Sequence, residues 1–451
     1  HNKKSFTRKL FDKISDNKLK WNLMSHNYDR MIFPDKKYDF IAPKEKFIEQ
    51  LKNYFPNNKN DLDKYLELID RVSKSSINYF SAKALSGLTE KVLSGYLRKN
   101  FLKFSRMTTY DGLRSITSND KLIAVLTGQW GDYGMPPKES SFVMHCMIAN
   151  HYFDGASYPV GGSSMIANTI GSFIKKNNGE LFTNKSVDKI WIENKKAKGV
   201  ILETGEKIES KIVISSAGVN NTLTKFLSDV DGLENYRKNI EKVKPSSGHA
   251  CLYVGFDKSA KELGIKDTNL WIYPSYDHDQ NVLSFKKDQN NDFPVLYMSF
   301  ASAKDPDWNN KHKNKSTMEV IVPSLFDHYE KWSSKPWKKR GKDYEDFKES
   351  LSQRIISSIY AHCPNLNGEI SYYELSTPLS TKSMANYEKG ELYGIDHNPQ
   401  RFDQQWLKPK TPIKNLYLTG QDIVTVGLAG ALASGVLTSS VILKKNLFRK
   451  I

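Results

Sequence analysis

Between residues 415 and 443 the chain reads NLYLTGQDIVTVGLAGALASGVLTSSVIL, and no other stretch limits the fold so strongly. Leu416, Tyr417 and Leu418 form a short apolar strand that Gly420 stops. A loop with Asp422 follows. From Gly430 the pattern is a helix that is apolar or small all round, as a buried helix must be. One stripe holds only small residues: Gly427, Gly430 with Ala431, Ser434 with Gly435, and Thr438. Residues three and four apart share a helix face, so these line up. A helical glycine costs about 1 kcal/mol relative to alanine, so glycines on one face imply a close approach to the backbone. The helix start offers unpaired N–H groups and the positive end of a dipole. That suits a phosphate or a flat ring that becomes anionic. A small-residue helix packed on a sheet satisfies the same pattern.

With 451 residues, the chain is long enough for two domains or one two-lobed unit. Its formal charge of +17 calls for an anionic partner or a well-solvated surface. No compact Lys/Arg block resembles a nucleic-acid arm, which excludes nucleic acid as a partner here. The solvated surface is the first reading and peripheral contact with a membrane the second. The densest run, KPWKKRGK over 335–342, suits lipid headgroups. Three cysteines without metal-ligand spacing fit a reducing, cytoplasmic setting. No apolar run reaches the roughly 20 residues of a membrane span, and no signal peptide is visible. The histidines lack metal spacing, so no metal site is expected; His145, His151, His249 and His397 read as structural or surface residues. There is no hydrolytic triad and no P-loop.

The rest of the chain alternates helical and strand patterns. Residues 30–40 read as two strands around a Pro-Asp turn, and helices are expected from Pro43 and Asp61 onward. GQWGDYGMPPKESS (128–141) is an irregular glycine-rich loop, after which Ser140 or Ser141 caps a helix. YPVGGSS (158–164) turns the chain, Ser163 or Ser164 caps the next helix, and Gly179 ends it. Residues 180–216 read as a hairpin meander followed by a buried strand over 211–215. Further strands fall at 248–257 and 293–302, with an amphipathic helix over 346–360. Trp271, Tyr273, Tyr276, Tyr297 and Phe300 are candidates to line a long apolar slot or to fill a sheet core.

The strand, LTGQDI, a glycine and AGALASG resemble the C-terminal flavin segment of the phytoene desaturase, carotenoid isomerase and retinol saturase family. YPVGG, the following helix, the N-x-x-V strand and the S-x-A strand end occur in that family's order. GQWGDYG and YPVGG look most like the retinol saturase and carotenoid isomerase branch. The resemblance covers roughly 128–226 and 374–443. It implies an FAD-dependent oxidoreductase of a hydrophobic polyene, with NAD(P) a candidate electron source. By the same resemblance Gly420 and Asp422 meet the ribityl–pyrophosphate part of FAD. The N–H groups of Gly430 and Ala431 face the flavin pyrimidine, Val187 contacts the adenine through its backbone, and Ala217 lies near the cofactor. Tyr393 and Gly394 lie beside the flavin, and Tyr133 is a further flavin-proximal candidate; no catalytic residue is assigned. On spacing alone Val187 is an ordinary strand valine.

The implied fold is α/β: a discontinuous, Rossmann-like FAD domain and a mixed α+β substrate domain. The substrate domain takes 1–140 and 227–402, and the FAD domain 141–226 and 403–451. No G-x-G-x-x-G follows a strand and the first residue is His1, so the first βαβ unit is expected to lie outside this chain. Two other readings stand beside this one. They are a flavin amine oxidase relative with a small polar substrate, and a non-catalytic basic protein of membrane surfaces.

Overall fold

Ser316–Pro323 buries every second side chain, and a strand with that alternation belongs inside a sheet with two unequal faces. In the computed structural model, which describes residues 5–85 and 87–451, it sits third in a seven-stranded mixed sheet. The spatial order is Ile370–Ser376, His249–Phe256, Ser316–Pro323, Leu296–Ser299, Asn269–Ile272, Asn27–Ile32 and Lys37–Ile41. All pairings are antiparallel except that between Asn269–Ile272 and Asn27–Ile32. The N-terminal hairpin therefore extends a sheet begun more than two hundred residues later, and the expected two parts of the substrate domain share one sheet.

Each face of this sheet has its own core. Leu296 and Met298 pack with Val320, Val322 and the Lys342–His362 helix on one side. Trp271 and Tyr297, one residue out of phase, point to the other side, toward the helices Lys44–Tyr54, Lys59–Ala82 and Phe142–Tyr152. The Phe142–Tyr152 helix belongs to this second cluster, so the cluster crosses the division expected at residue 141. Among the five aromatic candidates, Phe300 goes to the first core and Trp271 and Tyr273 to the second, with Tyr276 and Tyr297 packed against it.

The remaining strands form a smaller unit. Val187–Glu193, Lys196–Leu202 and Lys207–Glu209 make the expected meander. Its first turn places Asn194 and Lys195 both at positive φ, the two-residue geometry that matches strand twist. Val213–Ser215 pairs in parallel with Leu416–Leu418, which leads to the helix Gly427–Leu443.

Several local expectations are corrected. The C-terminal helix starts at Gly427, one turn before Gly430, and Leu428 and Leu443 are exposed, so it is not buried all round. The strand at 211–215 is buried on one face only: Ile212 and Ile214 are 39% and 50% exposed. A parallel pair of two strands covers one side and leaves the other bare. Neither Ser141 nor Ser163 caps through its side chain. Ser141 instead donates to the Ser105 carbonyl, and Ser163 already has helical dihedrals. The left-handed residue after the next helix is Asn178, with Gly179 following it.

A buried arginine joins the two units. Arg401 donates to the carbonyls of Ile395, Gln421 and Asp422 at 2.6, 2.7 and 3.1 Å. Burial pulls its pKa down to about 10, and the nearby Asp422 charge works against that fall. Arg401→Met leaves these carbonyls without a donor. We expect it to lower the unfolding free energy by about 3–5 kcal/mol, read as an earlier urea midpoint. An unchanged midpoint overturns the assignment.

Candidate functional site

The second face of the large sheet does not pack solidly. A cavity of about 420 Å³ lies between it and the glycine-rich loop, walled by Trp130, Trp271, Phe285, Val295, Tyr297 and Phe326. The loop reaches the sheet because two of its glycines lack side chains. A Cβ at Gly131 would sit 2.8 Å from the Trp271 ring, and one at Gly134 3.0 Å from the Tyr393 ring. Gly134 is also left-handed, at φ +77°. Sequence composition marks the loop as irregular; the close approach to Trp271 and Tyr393 is a tertiary fact.

Tyr393 lines this cavity, donates its hydroxyl to the Gly131 carbonyl at 3.2 Å, and is held by Ser246 Oγ, which accepts its N–H at 2.8 Å. Tyr133 does not line it. Its side chain is buried in the helical core, while its neighbours Asp132 and Gly134 face the space. Polar groups gather at one end, where Lys286 lies 3.6 Å from Glu139. Asp396, also on the wall, is pushed up to about 7 by burial and then by the charge of Glu139. His249 lines the same cavity and His151 a second one, so these two are neither core nor plain surface residues. His145 has a structural place, with Nε2 3.0 Å from the Tyr65 hydroxyl. Among the described residues no cluster of His, Cys, Asp or Glu could hold a metal.

The C-terminal segment meets this cavity from behind. Gly394 must be glycine, since a Cβ there would overlap the Asp422 carboxylate. Asp422 is buried, and its two oxygens accept the N–H groups of Val219 and Ile395 at 2.9 and 3.1 Å. Gly420, at φ +100°, donates its N–H to Ser434 Oγ, and Thr438 donates to the Leu418 carbonyl. The small stripe therefore hydrogen-bonds to its own strand and turn. A Cβ at Gly430 would overlap the Thr425 carbonyl, so the close approach there is made by the chain itself, whereas Gly427 and Gly435 face open space. Ala431 is half-buried on the adjoining surface. Val187 opens the meander and pairs with Leu202; Ala217 sits half-buried at the end of the parallel strand. The structure thus brings Tyr393, Gly394, Asp422 and Gly420 together in one connected group. Arg401 and Asp132 belong to it as well. Sequence reading missed both, since a lone arginine and a loop aspartate carry no spacing signal.

All-trans-retinol 13,14-reductase from Homo sapiens is 31% identical over 98% of this chain and 76% of its own length. The enzyme of that name from Rattus norvegicus is 32% identical, with the same coverage. The chain belongs to the phytoene desaturase, carotenoid isomerase and retinol saturase family. A 4,4'-diapophytoene desaturase from Methylomonas sp is a more distant member, 23% identical over 91% of this chain and 77% of that one. No family model matches. Among solved structures, an oxidoreductase from Methanosarcina mazei shares the fold with a TM-score of 0.57 at 16% identity, over 96% of this chain and 84% of that one. Cyclohexylamine oxidase from Brevibacterium oxydans shares it with a TM-score of 0.58 at 13% identity, over 98% and 85%.

A flavin goes with this family, and the residues present fit one. At the N-terminus of the Gly427–Leu443 helix Gln421 Oε1 accepts the Gly427 N–H at 3.2 Å, while the N-cap Val426 offers no side-chain acceptor, leaving later first-turn N–H groups and the positive dipole end for an anionic partner. A side chain at Gly427 would meet nothing, so there is room beside that turn. Val426, just before the helix, packs in the apolar cluster that Tyr393 also joins.

The bonding of Asp422 generates a test that needs no cofactor. Asp422→Ala removes two hydrogen bonds to buried backbone donors. We expect about 1.5–3 kcal/mol less stability in flavin-free protein, since bonds to a charged acceptor are of that size. Unchanged stability together with weaker flavin retention would instead assign the carboxylate to the cofactor alone.

Proposed function

We propose that this chain is a flavin-dependent saturase that adds hydrogen across one double bond of a conjugated polyene alcohol. The observation that carries the reading is the cavity of about 420 Å³, walled by aromatic and aliphatic side chains and adjoining the flavin segment at Tyr393. Flat aromatic walls favour an extended conjugated chain, and their burial excludes water from the reacting bond. The end carrying Glu139, Lys286 and Asp396 suits a hydroxyl. When bound, the flavin supplies the hydride chemistry. A reduced nicotinamide is the proposed electron source. Desaturation and isomerisation use the same cavity and differ in whether hydrogen is removed or returned. The amine oxidase reading has the fold in its favour, but the aromatic and aliphatic walls exceed what a small polar amine would cover.

In this reading Gly420, Gly430 and Ala431 border the flavin, with Val187 and Ala217 toward its adenosine end. Its pyrophosphate is held by a glycine-rich βαβ unit not contained in these 451 residues. The bare face of Ile212 and Ile214 supports that placement. Flavin-loaded protein given all-trans-retinol under reducing conditions should shorten the conjugated system, seen as a blue shift in absorbance. Turnover of amines with an unchanged polyene spectrum would favour the amine oxidase alternative.

Peripheral membrane contact belongs to the same proposal, because the substrate class lives in bilayers. Among the described residues no helix is long and apolar enough to cross a membrane. The helix Gly87–Ser105 instead shows solvent an apolar row, Leu88, Val92 and Tyr96, which are 77%, 67% and 81% exposed. Lys91, Lys99 and Lys103 are exposed beside it. Such a face suits an interfacial helix. Co-sedimentation with vesicles should rise with anionic lipid, fall with salt, and drop several-fold in a Val92→Glu, Tyr96→Glu double variant. Undiminished pelleting of that variant would place the contact elsewhere.

A further inference from the structure

Behind the apolar cavity lies a second one of about 230 Å³ with a different character. It is lined by polar groups, among them Tyr152, Tyr158, Asn269, Lys304 and His151. Tyr297 lines both cavities. The two also meet at Tyr152, on the polar side, whose hydroxyl lies near enough to the carboxyl of Asp132, on the apolar side, for each to shift the titration of the other.

The two acidic groups at this partition are treated differently. Asp29 is buried and fully bonded, accepting from Gln129 Nε2 at 2.6 Å and from Asn269 Nδ2 at 2.8 Å. Asn269 in turn accepts from the buried Lys304 ammonium at 2.5 Å. Burial raises the Asp29 pKa, and these bonds and the Lys304 charge work against that rise. Asp132 has no such support. Its Oδ2 is buried without a hydrogen-bond partner, and an unpaired carboxylate oxygen in such a place carries the full cost of desolvation. The ionisable groups that act on it are Asp29 and Tyr152. No positive charge is among them. Burial, then the negative charge of Asp29, accordingly pushes Asp132 up to about 7. A proton on the carboxyl removes the unpaired charge and gives the cavity wall an acid.

We propose that Asp132 is the proton donor to the polyene and that Tyr152 connects it to the polar cavity, from which the proton is replaced. The inference rests on the saturase reading. Reduction of a double bond adds a hydride to one carbon, assigned there to reduced flavin, and a proton to its neighbour. The carboxyl O–H bond of Asp132 breaks as the C–H bond forms, leaving a carboxylate. The Tyr152 hydroxyl hands its proton to that carboxylate and takes one from water in the polar cavity. Glu139 and Lys286, at the polar end, stay more open to solvent and would serve substrate binding rather than this transfer.

Three measurements on flavin-loaded protein, the chain together with the glycine-rich unit that holds the pyrophosphate, test it. In heavy water, the product of all-trans-retinol reduction should carry a solvent deuteron on the carbon that receives the proton. Asp132→Asn should lower kcat by at least about 100-fold, the usual share of a general acid, with KM and flavin retention unchanged. Tyr152→Phe should cost roughly 10-fold, less than loss of the acid itself, and raise the solvent isotope effect. Infrared spectroscopy adds a readout that needs no turnover. Wild-type protein at neutral pH should show a protonated-carboxyl carbonyl stretch that disappears in Asp132→Asn, is retained in Asp396→Asn and is shifted in Tyr152→Phe. A wild-type spectrum without that band overturns the proposal, and so does an Asp132→Asn enzyme within about threefold of wild type. A wild type that reduces no polyene but whose band is lost in Asp132→Asn supports the proton at Asp132 and sinks the saturase reading instead.

Discussion

The geometry of the site depends on one buried pair of opposite charges that do most of their bonding to backbone. Asp422 gathers the N–H groups of Val219 and Ile395, and Arg401 gathers the carbonyls of Ile395, Gln421 and Asp422. Three segments far apart in sequence are fixed by these two side chains. Each charge is expensive to bury alone, and each is tolerable here because backbone dipoles of the right sign surround it. The loop at 393–395 is held from one side by this pair and from the other by Ser246. Tyr393 then has only one place to go, the floor of the apolar cavity. Flexibility at Gly394 is needed for the same reason, because any Cβ would displace Asp422.

The cavity itself comes from a mismatch between the two faces of a sheet. One face is filled by the Lys342–His362 helix in ordinary close packing. The other meets a loop rich in glycine, with aromatic side chains spanning the gap. Large rings leave space between them when the opposite wall is backbone. That wall also brings a carboxyl group, Asp132, to a surface otherwise apolar. The polar cavity behind it is built from the ends of the same strands, where Asn269 and Tyr297 turn toward buried Lys304 and Asp29. Hydrocarbon chemistry and proton supply are therefore separated by a partition one side chain thick.

A flavin enzyme that works on hydrocarbon needs few titratable groups, and the sequence shows no clustered acid–base set. The structure accounts for how one can still be present. Asp132 sits alone in a loop with no partner at a telling spacing, and its surroundings come from residues 28–29, 152, 273, 297 and 393. Its proton affinity is set by desolvation and by Asp29, both consequences of tertiary packing.

Periodicity and turn chemistry carried much of the local structure. The meander, the hairpin near the N-terminus, the long helices and the small-residue helix after LTGQDI are each written in short-range patterns, and those motifs also sufficed for the family. These features follow from backbone preferences and one-sided burial, which act within a few residues of each other. Caps were read less well, because a serine side chain can bond a distant carbonyl as readily as its own helix, as Ser141 does with Ser105. The tertiary structure alone decided that the N-terminal hairpin joins a sheet made later in the chain. It also decided that Gly430 accommodates Thr425, that Tyr133 turns into the core while Asp132 faces the cavity, and that Arg401 and Asp422 hold the site together. In each case the deciding contact lies between residues whose separation no local pattern encodes, or on which side of a loop turn a side chain emerges.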